Sequence, residues 1–116
     1  MDITLLGNPA STNNIYKSAC RGPFPHVYMT ETGRSLKESY QWQIKSQYKG
    51  KPLAGEIDLR VELFFKDSRT RDIDNYNKVL LDACSGLLWD DDSQIVSLLI
   101  VKNIDKKNPR VELRIN

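Results

Sequence analysis

Glu56-Ile57-Asp58-Leu59-Arg60-Val61-Glu62-Leu63-Phe64-Phe65-Lys66 alternates between two faces. Ile57, Leu59, Val61, Leu63 and Phe65 fall on one side; Asp58, Arg60, Glu62, Phe64 and Lys66 fall on the other. Successive side chains of a strand point to opposite faces, so this segment is expected to be a half-buried β-strand. The period changes upstream. Leu36, Tyr40, Ile44 and Tyr48 recur every four residues, which is one apolar stripe of a helix. Thr30 is placed as its N-cap, with Glu31 in the first turn, and Gly50 and Pro52 stop it.

The rest of the chain falls into place around that pair. Ile3-Thr4-Leu5-Leu6 reads as a short first strand, and residues 8–26, rich in Asn, Ser, Thr, Gly and Pro, read as a long loop before a brief extended piece at Val27-Tyr28-Met29. After the alternating strand, residues 67–71 are a polar loop, and a second helix runs from about Asn75 to Ser85, closed by Gly86. Gln94 to Val101 is apolar on both faces, the pattern of a central strand. A turn at 105–109 leads to a last alternating strand, Arg110 to Ile115, expected as its hairpin partner. The order β-α-β-α-β-β predicts a mixed α/β (α+β) fold, a small mixed sheet with two helices, in one domain over residues 1–116.

The composition narrows the function. The chain has 116 residues, 40% hydrophobic and 28% charged, which disfavours disorder and coiled coil. No apolar run approaches the ~18 residues of a membrane span, and no signal peptide is expected, so a cytoplasmic protein is the reading. The two cysteines, Cys20 and Cys84, read as reduced thiols, and without a Cys/His cluster a zinc site is excluded. The net charge of +2 is a cancellation: residues 1–55 carry +4, residues 56–100 carry −5 and residues 101–116 carry +3. His26 reads as a loop residue, and Trp42 and Trp89 read as packing residues, although an aromatic side chain beside nucleic acid can stack on a base.

The acidic middle contains Arg69-Thr70-Arg71-Asp72-Ile73-Asp74-Asn75-Tyr76-Asn77-Lys78. In extended backbone Asp72 and Asp74 point to one side while Ile73 turns inward. Two convergent carboxylates suit a hard divalent cation such as Mg²⁺, which takes one or two carboxylates together with substrate phosphate. Asp90-Asp91-Asp92 offers a third acid. Arg69, Arg71 and Lys78 beside these acids suit metal-assisted phosphodiester hydrolysis. Structural readings stand next to this one: Asp72 or Asp74 as a helix cap, Asp82 as the partner of Lys78, the triple aspartate as a solvated turn. An EF-hand is excluded, because a loop starting at Asp72 puts Asn77 where glycine is required and Ala83 where a bidentate Glu is required.

Arg71-Asp72-Ile73-Asp74-Asn75-x-x-Lys78, Leu80-Leu81-Asp82-Ala83 and Asp91-Asp92-Ser93-Gln94-Ile95-Val96 together resemble the RusA family of Holliday junction resolvases. Pro9-Ala10-Ser11-Thr12-Asn13-Asn14 and Val27-Tyr28-Met29-Thr30-x-x-Gly33 extend the likeness over nearly the whole chain. The resemblance implies a small homodimeric endonuclease, frequently phage or prophage encoded, that binds four-way DNA junctions and nicks opposing strands with Mg²⁺. By position it implies Asp72, Asp74 and Asp92 as catalytic and metal-holding acids, Asp91 as an accessory acid, and Lys78 as the essential lysine. It also implies Arg69, Arg71, Lys78, Asn13 and Asn14 at the DNA. Asp90 is an extra acid in this chain. Enzymes cutting forks, flaps or plain duplex, and a junction binder without catalysis, are the alternatives.

Overall fold

The structure, a computed structural model, describes residues 1–11, 16–21 and 24–116, with side chains for residues 1–11 and 29–116. Strands β1 (Asp2–Leu6), β2 (Tyr16–Arg21) and β3 (Phe24–Met29) are followed by helix α1 (Glu31–Gln47) and strand β4 (Ile57–Phe65). Helix α2 (Lys78–Cys84) and strands β5 (Ile95–Ile104) and β6 (Arg110–Ile115) complete the chain. A single 3-10 turn precedes α2 (Ile73–Tyr76) and another precedes β5 (Asp92–Gln94).

The expected alternation of β4 is realised: Ile57, Leu59, Val61, Leu63 and Phe65 are buried, and they meet Ile3 and Leu5 of β1 and Val111, Leu113 and Ile115 of β6 in the core. Tyr40 and Ile44 of α1 and Leu80, Ala83 and Cys84 of α2 close that core from the helical side. The Thr30 hydroxyl accepts the Gly33 N–H at 3.1 Å, so the predicted cap is present. Tyr48 is the residue after α1 and packs partly on the core. The Cys84 thiol is buried, as its apolar surroundings suggested.

Four expectations change. Residues 8–26 are not one loop, because β2 and β3 pair antiparallel from Tyr16↔Met29 to Arg21↔Phe24. Polar and Gly/Pro-rich composition reads as loop, yet a two-stranded ribbon needs little apolar sequence of its own. The strand starting at Ile95 is not central. The main sheet runs β1-β6-β4-β5, which leaves β5 at an edge. Nor is β5 the hairpin partner of β6. It pairs parallel with β4, while β6 pairs antiparallel with β4 on the other side. The chain therefore crosses over β4 between residues 104 and 110, and α2 serves as the β4-to-β5 crossover that a parallel pair needs. Finally, Trp42 is not a packing residue: it stands 73% exposed on α1.

Candidate active site

The polypeptide leaves β4 and enters a loop folded on its own charges. Arg71 donates to the Asp67 carboxylate at 2.6 Å and to the Asp67 and Arg69 carbonyls at 3.1 and 3.3 Å. Its guanidinium lies 4.3 Å over the Phe65 ring, and its side chain is only 12% exposed. Arg71 and the Arg69 N–H hold the Asp67 carboxyl below the usual carboxylate range. Lys102 of β5 grips the end of the loop by donating to the Arg71 carbonyl at 2.8 Å. Arg69 remains outward, its side chain 80% exposed. A cavity of about 250 Å³ opens here between Asp67, Arg69, Arg71 and Lys102.

Asp72 and Asp74 come next. The backbone at Asp72 is extended, and Asp74 sits in the 3-10 turn. Both acids are exposed, while Ile73 between them packs against the core. Neither carboxylate makes a hydrogen bond or ion pair with the described residues, and neither caps a helix with its side chain. The capping reading therefore fails, and two exposed carboxylates remain without a partner among the described residues. Lys78 opens α2 one turn later, 54% exposed at its side chain, with Asp82 at 3.6 Å as the expected i,i+4 partner.

The triple aspartate divides its labour. The Asp91 carboxylate caps the 3-10 turn by accepting from the Ser93 hydroxyl and, at 3.3 Å, from the Ser93 N–H. Those bonds lower its pKa. Asp92 accepts the indole N–H of the fully buried Trp89 at 2.9 Å. Its charge, after burial, also pushes the Cys84 thiol pKa upward. Asp90 is exposed and contributes backbone atoms only. Gln94 ties the segment down: its carbonyl oxygen accepts the Asp90 and Asp91 N–H groups at 2.9 and 3.1 Å, and its amide donates to the Leu53 and Gly55 carbonyls at 2.8 and 3.0 Å. Gln94, Trp89 and Lys102 thus shape the site without having been read as site residues. For Gln94 the signal was its place in Asp91-Asp92-Ser93-Gln94; for Lys102 there was none.

Asp72, Asp74 and Lys78 follow one another through the 3-10 turn into the start of α2, whereas Asp92 lies in the separate turn before β5, bonded to Trp89. No group of three His, Cys, Asp or Glu that could hold a metal exists among the described residues. The pair Asp72 and Asp74 still fits a hard cation by its chemistry, since two exposed carboxylates without partners among the described residues match the oxygen-ligand habits of Mg²⁺. Asn13 and Asn14 lie outside the described residues.

Residues 7–116 match the family model described as Endodeoxyribonuclease RusA. The chain belongs to the RusA family of Holliday junction resolvases. It is 32% identical over 114 residues to the crossover junction endodeoxyribonuclease RusA of Escherichia coli strain K12, covering 97% of this chain and 91% of that protein. The protein of the same name from Enterobacteria phage 82 is also 32% identical over the same shares, and that of Escherichia coli O139:H28 is 30% identical. As a RusA-family chain it is an endodeoxyribonuclease with a mixed α+β fold. Among the described residues no helix is long and apolar enough to cross a membrane.

Proposed function

We propose that this chain, as one endonuclease domain over residues 1–116, resolves four-way DNA junctions in the cytoplasm by paired nicks. It acts as a homodimer and uses Mg²⁺. The observation that carries the reading is the exposed, unengaged pair Asp72 and Asp74, backed by Ile73 and followed by Lys78, in a chain of the RusA family. Asp72 and Asp74 would hold the cation, which when bound supplies Lewis-acid stabilisation of a phosphoryl oxygen and a more acidic water. Lys78 faces solvent beside them and offsets the charge that accumulates on the scissile phosphate. It serves as a cation and not as the base. Arg69 reaches outward to a neighbouring phosphate. Arg71 contributes through the loop it folds, beyond any DNA contact it makes. Asp91 shapes the turn that presents Asp92.

The test compares four-way junction, fork and linear duplex as substrates, with and without Mg²⁺, beside Asp72→Asn. The junction is expected to be cut in preference and only with the cation. Asp72→Asn should bind the junction at least as well as wild type while cleaving at least about 100-fold more slowly. Equal cutting of linear duplex would replace the resolvase reading with a less selective nuclease. Loss of binding together with cleavage would make Asp72 structural.

A further inference from the structure

The acids after β4 carry unbonded carboxylates on a backbone that is tied down around them. Ile73, between them, packs against the core. Tyr76, two residues after Asp74, meets the Phe65 ring edge-on at 5.1 Å between centroids. The Asp72 carbonyl accepts the Asn75 N–H at 3.2 Å, inside the same turn. Apolar contacts are non-directional, so Ile73 and Tyr76 fix how deep the segment lies and leave it free to tilt. The hold ahead of Asp72 is of another kind. The Lys102 ammonium donates to the Arg71 carbonyl at 2.8 Å, and a hydrogen bond has a preferred direction.

The Arg71 carbonyl belongs to the peptide unit that ends at the Asp72 nitrogen. That unit is planar, so fixing its oxygen fixes the plane from which the Asp72 side chain departs. Asp72 is extended, with φ −85° and ψ 120°, and its carboxylate has no partner of its own to aim it. Its direction is therefore set by the backbone on either side. Arg71 cannot supply the hold, because its guanidinium is spent on the Asp67 carboxylate and the Phe65 ring. Lys102 comes from a different element. It registers with Leu63 near the end of the β4–β5 pair, so the loop after β4 returns to the end of the sheet at Arg71. An exposed lysine that is held in place gives up rotamer freedom, and a surface charge returns little stability for it. The consequence of this bond is local orientation.

We propose that Lys102 is the positioning residue of Asp72: by holding the Arg71 carbonyl it aims the Asp72 carboxylate to the side of Asp74, and so sets how tightly the pair holds a divalent cation. The proposal rests on the reading of this chain as a metal-dependent nuclease. In this role Lys102 touches neither the cation nor the scissile phosphate. Its effect runs through the Arg71–Asp72 peptide, whereas Lys78 is the cation that faces the substrate.

Metal binding is read first without DNA, from the signal of free Mn²⁺ in electron paramagnetic resonance, with Asp72→Asn as the reference for a lost site. Lys102→Met keeps the stem and removes the donor. It is expected to hold Mn²⁺ about 10-fold more weakly than wild type, in the range for residues that orient a metal ligand. The Mg²⁺ concentration for half-maximal junction cutting should rise in parallel, while junction binding without metal stays at the wild-type value. Lys102→Arg, which keeps a cationic donor, should recover most of the Mn²⁺ affinity. Should Lys102→Met fail to fold, Lys102→Gln, uncharged and shorter, takes the same measurements. Wild-type Mn²⁺ affinity in the uncharged variant overturns the proposal; if metal-free junction binding weakens instead, Lys102 is a phosphate contact. A loss of Mn²⁺ that Lys102→Arg does not recover overturns it too, and makes the residue structural. If wild type holds no more Mn²⁺ than Asp72→Asn and cuts no branched DNA, the nuclease reading itself fails and the proposal falls with it.

Discussion

Asp92 owes its orientation to the indole N–H of Trp89, 2.9 Å away on a ring with no solvent exposure. The sequence showed Trp89 only as a large apolar residue beside three acids, which is why it read as packing. That reading holds, but the N–H adds a directed bond that no pattern of hydrophobicity reveals. Trp89→Phe keeps most of the buried ring and removes the donor. Hydrogen bonds to charged groups contribute about 1.5–3 kcal/mol, and the half-exposed Asp92 places this one at the low end. The variant should therefore unfold several degrees lower in a thermal melt and cleave more slowly, whereas Asp90→Asn, which loses no side-chain bond, should match wild type in both. A Trp89→Phe protein with wild-type cleavage would mean that Asp92 needs no help to find its pose. Trp42 shows the converse error: the stripe of Tyr40 and Ile44 already sets it on the opposite face of α1, yet its apolar ring was read as packing.

Two short connections carry the site, and they are built by different forces. The link before β5 is held by Gln94, which satisfies two N–H groups of the aspartate run and two carbonyls of the 53–55 segment. Gln94→Ala leaves those groups without their partners and should cost about 1–3 kcal/mol, measured by denaturant unfolding. The loop after β4 is held by charge. Asp67 is held below its ordinary pKa chiefly by Arg71, so folding binds this proton less well than the unfolded chain does. Its contribution is complete above the unfolded carboxylate pKa near 3.9 and is lost as pH falls through the lower folded value. Melting temperatures of wild type and Asp67→Asn should accordingly differ at pH 6 and converge well below pH 4. A constant gap across that range would show that the pair adds nothing to stability. Sequence made Arg71 a DNA contact by position; its inward fold on Phe65 depends on β4 and β5 meeting around it, which local sequence does not encode.

At the scale of the molecule, most elements were legible, the β2-β3 ribbon excepted, and their neighbours were not. The alternation of β4 and β6 and the stripe of α1 follow from local periodicity, and each forms where expected. The double-faced apolar run of β5 says that both faces want cover, but not whether the cover is its own sheet or a second chain; that is how an edge strand came to read as central. Charge behaves in the same way. The basic excess in residues 1–55 and 101–116 was counted along the chain, yet part of it is spent internally: Arg110 pairs with Asp105 at 2.8 Å and Glu112 at 3.2 Å, and Arg114 pairs with Asp2 at 3.2 Å. Arg69, 80% exposed and only 3.6 Å-paired to Asp67, is the better candidate for a phosphate. Each phosphate neutralised on DNA adds about 0.9 to the slope of log K against log salt for duplex arms. Junction binding by the cleavage-dead Asp72→Asn protein should thus weaken linearly on that plot, and adding Arg69→Ala should lower the slope by roughly one per site. Adding Arg114→Ala, whose partner is Asp2, should move it less. Equal slopes with and without Arg69, from fluorescence anisotropy at several salt concentrations, would place the DNA on another face of the sheet.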